Sequence, residues 1–280
     1  MIPKGIPFGN DPRSPAFRPN RSADVWFRFA GDLTEFDIAA ARAVLSPIER
    51  KRCERFVFDC DRQTFAAGHA LLRSTLTFHE RLRSPQSWVF QTGSHGKPCL
   101  APGQSELAFN MTHTAGLVAC ALAKVESIGV DVESVERTAN ADEIAASYFS
   151  QREVLALEEC AGLERQTRFI ELWTLKEAYL KATGAGLSAP LNKFGFELCG
   201  ASGLQFNPPD NTTIADWHFA LFAPSPHYRL AVAVRSVQLI EFRVRGWPPG
   251  STSAQLVPLR ASRPIGSSAD EPLGAATVPV

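Results

Sequence analysis

Polar and apolar positions alternate along Asp24-Val25-Trp26-Phe27-Arg28-Phe29, which predicts a strand. Further strands are predicted at Trp88–Gln91, Leu107–Thr112, Gly116–Lys124, Ser127–Glu133, Phe194–Leu198, Trp217–Phe222 and Tyr228–Arg235. Helical patterns lie between them. One covers Phe36–Leu45. A second starts at Ser46, with Ser as N-cap, Pro47 at the first helical position and Glu49 three residues after the cap. A longer one covers about Asp61–Leu82, and Gly68 within it marks a close packing contact. In the second half a helix begins at Ser150, and a principal helix runs to Thr183, where Gly184 fits a left-handed cap. Helices and antiparallel strands in both halves make the class α+β. Residues 1–22 form a loose leader, 23–125 and 126–245 the two halves, and 246–280 a Pro/Ser/Gly-rich tail expected to be disordered.

The principal helix breaks the amphipathic rule. At about 100° per residue, Phe169, Ile170, Leu172, Trp173, Tyr179 and Leu180 form one apolar arc. Lys176 and Glu177 project from within that arc, and Lys181 sits just beyond its rim. Charge on a buried face is costly unless something pairs with it. A ligand carrying metal and phosphate would satisfy the carboxylate and both ammonium groups. The bland alternatives are an ordinary i,i+4 pair between Glu177 and Lys181, and a Lys176 that snorkels out on its stem.

A second such place is Gly129-Val130-Asp131-Val132-Glu133. Alternate strand residues share a face, so Asp131 and Glu133 point one way while Val130 and Val132 point into a core. Neighbouring carboxylates repel unless a cation or proton lies between them. Both are hard oxygen ligands suited to magnesium, or to manganese as the alternative ion. A frayed strand end in solvent would read the same way. Thr112-His113 and Gly96-Lys97-Pro98 are weaker signals, able to offer a phosphate donor and a close-approaching backbone.

Composition narrows the classes. Lys+Arg and Asp+Glu are both 29, and that balance argues against a nucleic-acid binder. No stretch is apolar and long enough for a membrane span, and the Pro- and Gly-punctuated start does not read as a signal peptide. The six cysteines lack metal-ligand spacing and read as free thiols of a cytoplasmic protein.

In order along the chain, Gly96-Lys97-Pro98, Asn110-x-Thr112-His113, Gly129-x-Asp131-x-Glu133 and Trp173-x-x-Lys176-Glu177-x-x-x-Lys181 resemble one family, the 4′-phosphopantetheinyl transferases. The likeness is to the larger, monomeric surfactin-synthetase-activating branch and covers roughly residues 24–235. It implies two similar α+β halves related by a pseudo-twofold, with coenzyme A in the cleft between them. It implies transfer of the phosphopantetheine arm to a serine of an apo acyl or peptidyl carrier protein, releasing adenosine 3′,5′-bisphosphate, in the manner of a holo-[acyl-carrier-protein] synthase. By the same resemblance Asp131, Glu133 and Glu177 hold magnesium, and Lys181, with Lys176 beside it, contacts phosphate. Gly96, Lys97 and Pro98 lie at the nucleotide, Thr112 and His113 at the coenzyme A phosphates, and Arg52 at the 3′-phosphate. Some relatives carry a lysine where this chain has Glu49, and Arg62 is the expected substitute. Glu153 matches a glutamate near the serine-activating site, yet it also completes a capping box with Ser150. The competing class is a non-catalytic module that binds coenzyme A without cleaving it.

Overall fold

The computed structural model describes residues 22–262 apart from 94–95, 138–139, 187–188, 210–213 and 251–254. Strand β1 (Ser22–Phe29) leads into helices α1 (Glu35–Ala43), α2 (Pro47–Glu54) and α3 (Asp59–His79). A short ribbon, β2 (Phe90–Thr92) and β3 (Pro98–Leu100), precedes the hairpin β4 (Ala108–Thr114) and β5 (Leu117–Ala123). The order then repeats. β6 (Ser127–Ser134) leads into α4 (Ala141–Tyr148), α5 (Gln151–Glu158) and α6 (Gly162–Thr183). Next come the ribbon β7 (Gly195–Cys199) and β8 (Gly203–Asn207), then the hairpin β9 (Trp217–Phe222) and β10 (Tyr228–Arg235). β11 (Glu241–Gly246) and β12 (Arg260–Ala261) close the described chain.

Beside the β2-β3 ribbon, two larger sheets result, ordered β11-β1-β5-β4 and β6-β10-β9-β12-β8-β7. The run β1-β5-β4 repeats as β6-β10-β9, with every neighbour antiparallel. Side-chain alternation then stacks the layers. On β5, Leu117, Ala119, Ala121 and Ala123 face the second sheet, where Ile128, Val130 and Val132 meet them. Val118, Cys120 and Leu122 face the other way, onto Leu71, Leu72 and Leu76 of α3. On β10, Leu230, Val232 and Val234 point between the sheets and Ala231 and Ala233 point to α6. The order is therefore helix, sheet, sheet, helix. β5 is buried on both faces, which is why its seven residues contain no charge.

Several features depart from the sequence reading. Helix α4 was not expected; it buries only Ala145, too little to leave a period. β8, a five-residue strand, was also missed. β11 lies parallel to β1, pairing Ala23 with Phe242 and Val25 with Val244, so the last strand returns to the first sheet across the expected division at residue 126. The tail expected to hang loose from residue 246 is held in part: Leu256 bonds Val244, and Arg260 and Ala261 pair with β9. Ser22, assigned to the leader, is buried in β1; residues 1–21 lie outside the described residues.

Candidate active site

The site begins with a missing side chain. Gly129 lies on the α6-facing side of β6, and a Cβ there would sit 2.1 Å from the Ala178 carbonyl oxygen and 2.4 Å from the Ala182 nitrogen. The helix backbone therefore rests directly on the strand. That close seat brings Glu177 and Lys181 over the two carboxylates one and two alternations further along. Asp131 and Glu133 share the face as expected and are 4% and 6% exposed. The first half contributes from β4: Asn110 Oδ1 accepts the Val130 N–H at 3.0 Å, stitching the sheet edges together.

Asp131 is the hub. Its Oδ1 accepts from Lys181 Nζ at 2.6 Å and from Thr112 Oγ1 at 3.1 Å, and Lys181 Nζ also donates to Thr112 Oγ1 at 3.0 Å. Its Oδ2 is buried with no partner among the described residues. Arg137 Nη1 donates to Glu133 Oε1 at 2.5 Å. Burial and the nearby Asp131 charge raise the Glu133 carboxyl above its ordinary range. Burial first, then Asp131 and Glu133, push Glu177 up to about 7, against the opposing pull of Lys181 and Arg137. Lys181 pairs with Asp131, and not with Glu177 as the bland alternative had it.

These residues fit a divalent cation. A buried carboxylate oxygen without a donor, and two carboxyls held high by burial and like charge, describe a place with room for more positive charge than Lys181 and Arg137 supply. Mg²⁺ commonly takes one or two carboxylates and completes its shell with phosphate and water. Among the described residues no three such side chains form a finished cage, and the reason is visible: Lys181 and Arg137 already lie on Asp131 and Glu133.

Two expected site residues do not join this cluster. Lys176 is fully buried and points into its own half, donating to the Leu191 and Phe194 carbonyls at 2.8 and 2.6 Å. Its ion-pair partner, at 2.9 Å, is Glu153. Glu153, 1% exposed, accepts from the Ser150 and Phe196 backbone N–H groups at 2.8 and 2.9 Å. With both oxygens occupied inside the core, it cannot meet a carrier serine. The capping-box reading describes it, and the general-base and phosphate-contact expectations for Glu153 and Lys176 are corrected.

The remaining positions form the periphery. Gly96 takes a positive φ of 81° before Lys97 and Pro98 enter β3. Lys97 reaches across to the second half, donating to Ile128 and Ala182 carbonyls at 3.0 and 2.7 Å, and burial lowers its ammonium to about 8. It lines a cleft of about 460 Å³ with Pro98, Phe109, Thr183, Trp217 and Arg235. That cleft opens at the Ser127 end of β6, and none of the three carboxylates lines it. The charged groups converge at the carboxylate cluster instead. His113 is held below its usual value by partial desolvation and by the Lys181 and His69 charges. Exposed Arg52 lies over the Phe65 ring at 5.6 Å. Glu49 turns inward to Arg73 and His69. Arg62 is bound to Asp59 and the Phe56 carbonyl, so its substitute role is not seen. Asn110 and Arg137 were missed by sequence reasoning. Asn110 stands inside the Asn-x-Thr-His motif but carried no assigned role, and Arg137 left no signal beyond its spacing from Glu133.

Comparison with known proteins agrees with this geometry. The family model described as 4′-phosphopantetheinyl transferase superfamily matches residues 127–233, and that described as 4′-phosphopantetheinyl transferase, N-terminal, matches 33–125. The chain is 32% identical over 227 residues to the 4′-phosphopantetheinyl transferase HetI of Nostoc sp., covering 80% of this chain and 89% of that one. It is 30% identical over 188 residues to the 4′-phosphopantetheinyl transferase Sfp of Bacillus subtilis, covering 67% and 81%. With β4 and β6 stitched at Asn110, Asp131 bonded to Lys181, and both halves matched by family models, the chain belongs to the 4′-phosphopantetheinyl transferase superfamily, in its Sfp-like branch.

Proposed function

We propose that this protein transfers the 4′-phosphopantetheine arm of coenzyme A to a serine of an apo carrier protein, acting as a holo-[acyl-carrier-protein] synthase. The observation that carries the reading is Asp131. One oxygen is shared by Lys181 and Thr112 from opposite halves, and the other is buried without a donor among the described residues. Asp131, Glu133 and Glu177 would hold Mg²⁺, or Mn²⁺ in its place. When bound, that ion neutralises pyrophosphate charge and acts as a Lewis acid.

The chain's own residues do the rest. The serine oxygen forms a bond to the phosphorus bearing pantetheine, and the bond from that phosphorus to the bisphosphate oxygen breaks. Lys181, 30% exposed at its side chain, is placed to donate to an oxygen that gains charge. Glu177, facing the same cluster, takes the serine proton. Thr112, bonded to Asp131 and Lys181, and its strand neighbour His113, within reach of the Lys181 charge, would offer further donors to phosphate. Arg52, Gly96, Lys97 and Pro98 serve the nucleotide end. Both sides of the site come from one chain, which supports a working monomer. Six free cysteines support a cytoplasmic location.

The test is incubation with coenzyme A, Mg²⁺ and an apo carrier, read by intact mass. A carrier heavier by one phosphopantetheine supports transfer. Coenzyme A bound but uncleaved would mean a binding module instead.

A further inference from the structure

The two halves contain the same buried device. In the first, Glu49 caps α2, accepting the Ser46 N–H at 2.8 Å, and also takes Arg73 Nε of α3 at 2.9 Å. Arg73, 1% exposed, donates on to the Pro85 and Trp88 carbonyls, both at 2.9 Å, and lies 4.9 Å from the Phe90 ring centroid. In the second, Glu153 caps α5 and takes Lys176 of α6, whose ammonium donates to the Leu191 and Phe194 carbonyls and lies 4.4 Å from the Phe194 ring centroid. Each is a capping glutamate, a buried cation on the third helix, and carbonyls in the connection beyond it, with Gln86 at 3.4 Å a third in the first half. Gly195 leaves room for the second copy: a Cβ there would lie 2.5 Å from Ser150 Oγ and 3.0 Å from Glu153 Cδ.

The residues just after the two cations differ. Arg73 is succeeded by Ser74, buried on α3. Lys176 is succeeded by Glu177, and Lys181 stands one turn later. We propose that the Glu153–Lys176 pair is a positioning device that fixes the rotation of α6 about its axis, and so aims Glu177 and Lys181 at the Asp131 cluster. Glu153 and Lys176 act through those residues and touch no substrate. This rests on the transfer reading above.

The physical case is one of direction. The apolar arc of α6 turns it toward β6 and β10, but apolar burial is non-directional and leaves the angle free by some degrees. The Gly129 seat sets its height. A cation bound by three fixed acceptors sets its angle. A side-chain tip about 6 Å from the helix axis moves about 1 Å for each 10° of rotation. An error of about 1 Å at a reacting centre can cost about 100-fold in rate.

Glu153→Gln is the first variant, since Gln preserves shape and can still complete a capping box. Single-turnover transfer is measured with enzyme in saturating excess over coenzyme A, so the rate constant does not depend on the fraction folded. The expected result is a rate constant lower by about 10- to 100-fold. Lys176→Arg, which copies the cation of the first half, keeps most of the rate constant. A normal rate constant in Glu153→Gln, with only a lower melting temperature, would make the pair a stability element and overturn the proposal. If Glu153→Gln does not fold by circular dichroism, Glu153→Gln/Lys176→Met, which leaves no unpaired charge, takes its place with the same two outcomes. If the wild type transfers nothing, the transfer reading falls by itself. The pair is then judged by coenzyme A affinity: loss in Glu153→Gln with retention in Lys176→Arg upholds it, and unchanged affinity in both overturns it.

Discussion

Trp26 and Asp131 occupy equivalent places in the two halves. Trp26 on β1 lies opposite Cys120 on β5, and Asp131 on β6 lies opposite Ala231 on β10. Each points to the long helix of its half. Trp26 meets Phe78 of α3 edge-on at 5.6 Å, with Trp247 at 5.3 Å and the Arg245 guanidinium at 5.4 Å. Asp131 meets Lys181 of α6. Even the neighbouring strand corresponds: β11 lies beside β1, and β4 lies beside β6 through Thr112 and Asn110. Both places leave one buried polar atom without a partner among the described residues, Trp26 Nε1 and Asp131 Oδ2. The orphan indole N–H is neutral and costs only about 1–3 kcal/mol. The orphan carboxylate oxygen calls for a cation. One frame thus holds a filled aromatic plug in the first half and an unfinished charge site in the second, so the same packing position serves stability once and, on the proposed reading, chemistry once.

The largest test of that contrast is Asp131→Ala. It removes the hub without emptying a hydrophobic core, so transfer should fall by about 10³-fold or more while the melting curve stays close to wild type. Full activity in this variant with excess EDTA would remove the metal reading. The mirror experiment is Trp26→Ala. It should lose about 3–5 kcal/mol in urea unfolding, with an unchanged transfer rate per folded molecule. A large rate loss at intact stability would mean that the first half also takes part in the chemistry.

Gly129→Ala sharpens the comparison from the other side. The added methyl must push α6 off β6, at a cost of about 1–3 kcal/mol for overpacking. Rate and stability should fall together, measured by transfer kinetics and thermal melting on the same preparation.

The smallest effect is in pH dependence. Burial raises Asp24 from 3.8 to about 6, and Glu177 from 4.5 to about 7. A raised carboxyl holds its proton more tightly in the folded state. Its stabilising contribution is complete below the unfolded value and is lost as pH rises through the folded one. Melting temperature without metal should therefore fall over about pH 4 to 7. Mg²⁺ should flatten the upper part, which belongs to Glu177, and leave the Asp24 part, which Asp24→Asn should remove. A Mg²⁺ effect confined to the lower part of the window would count against Glu177 as a ligand.

Much of the site was legible because local patterns fix faces. Period-two alternation placed Asp131 and Glu133 together and sent Val130 and Val132 into the core. Helical period placed Lys176 inside the buried arc, and it is fully buried. The caps at Ser46 and Ser150 were readable because a capping box spans only four residues. The β9 and β10 boundaries match, since each strand is built on an apolar run, Phe219–Phe222 and Leu230–Val234.

What the tertiary structure decided is which partner each buried charge meets. Lys176 faces inward by its place on the helix, but only folding puts Glu153 and the Leu191 and Phe194 carbonyls around it in place of a phosphate. Lys97 sits in a loop whose sequence suits a nucleotide, and folding turns its ammonium onto Ile128 and Ala182. β11 alternates as any strand might, and its return to β1 depends on an edge built more than two hundred residues earlier. Periodicity acts over a few residues and assigns directions. Desolvated charges and open sheet edges are satisfied by whatever the packed chain brings within about 3 Å, and sequence distance does not encode that.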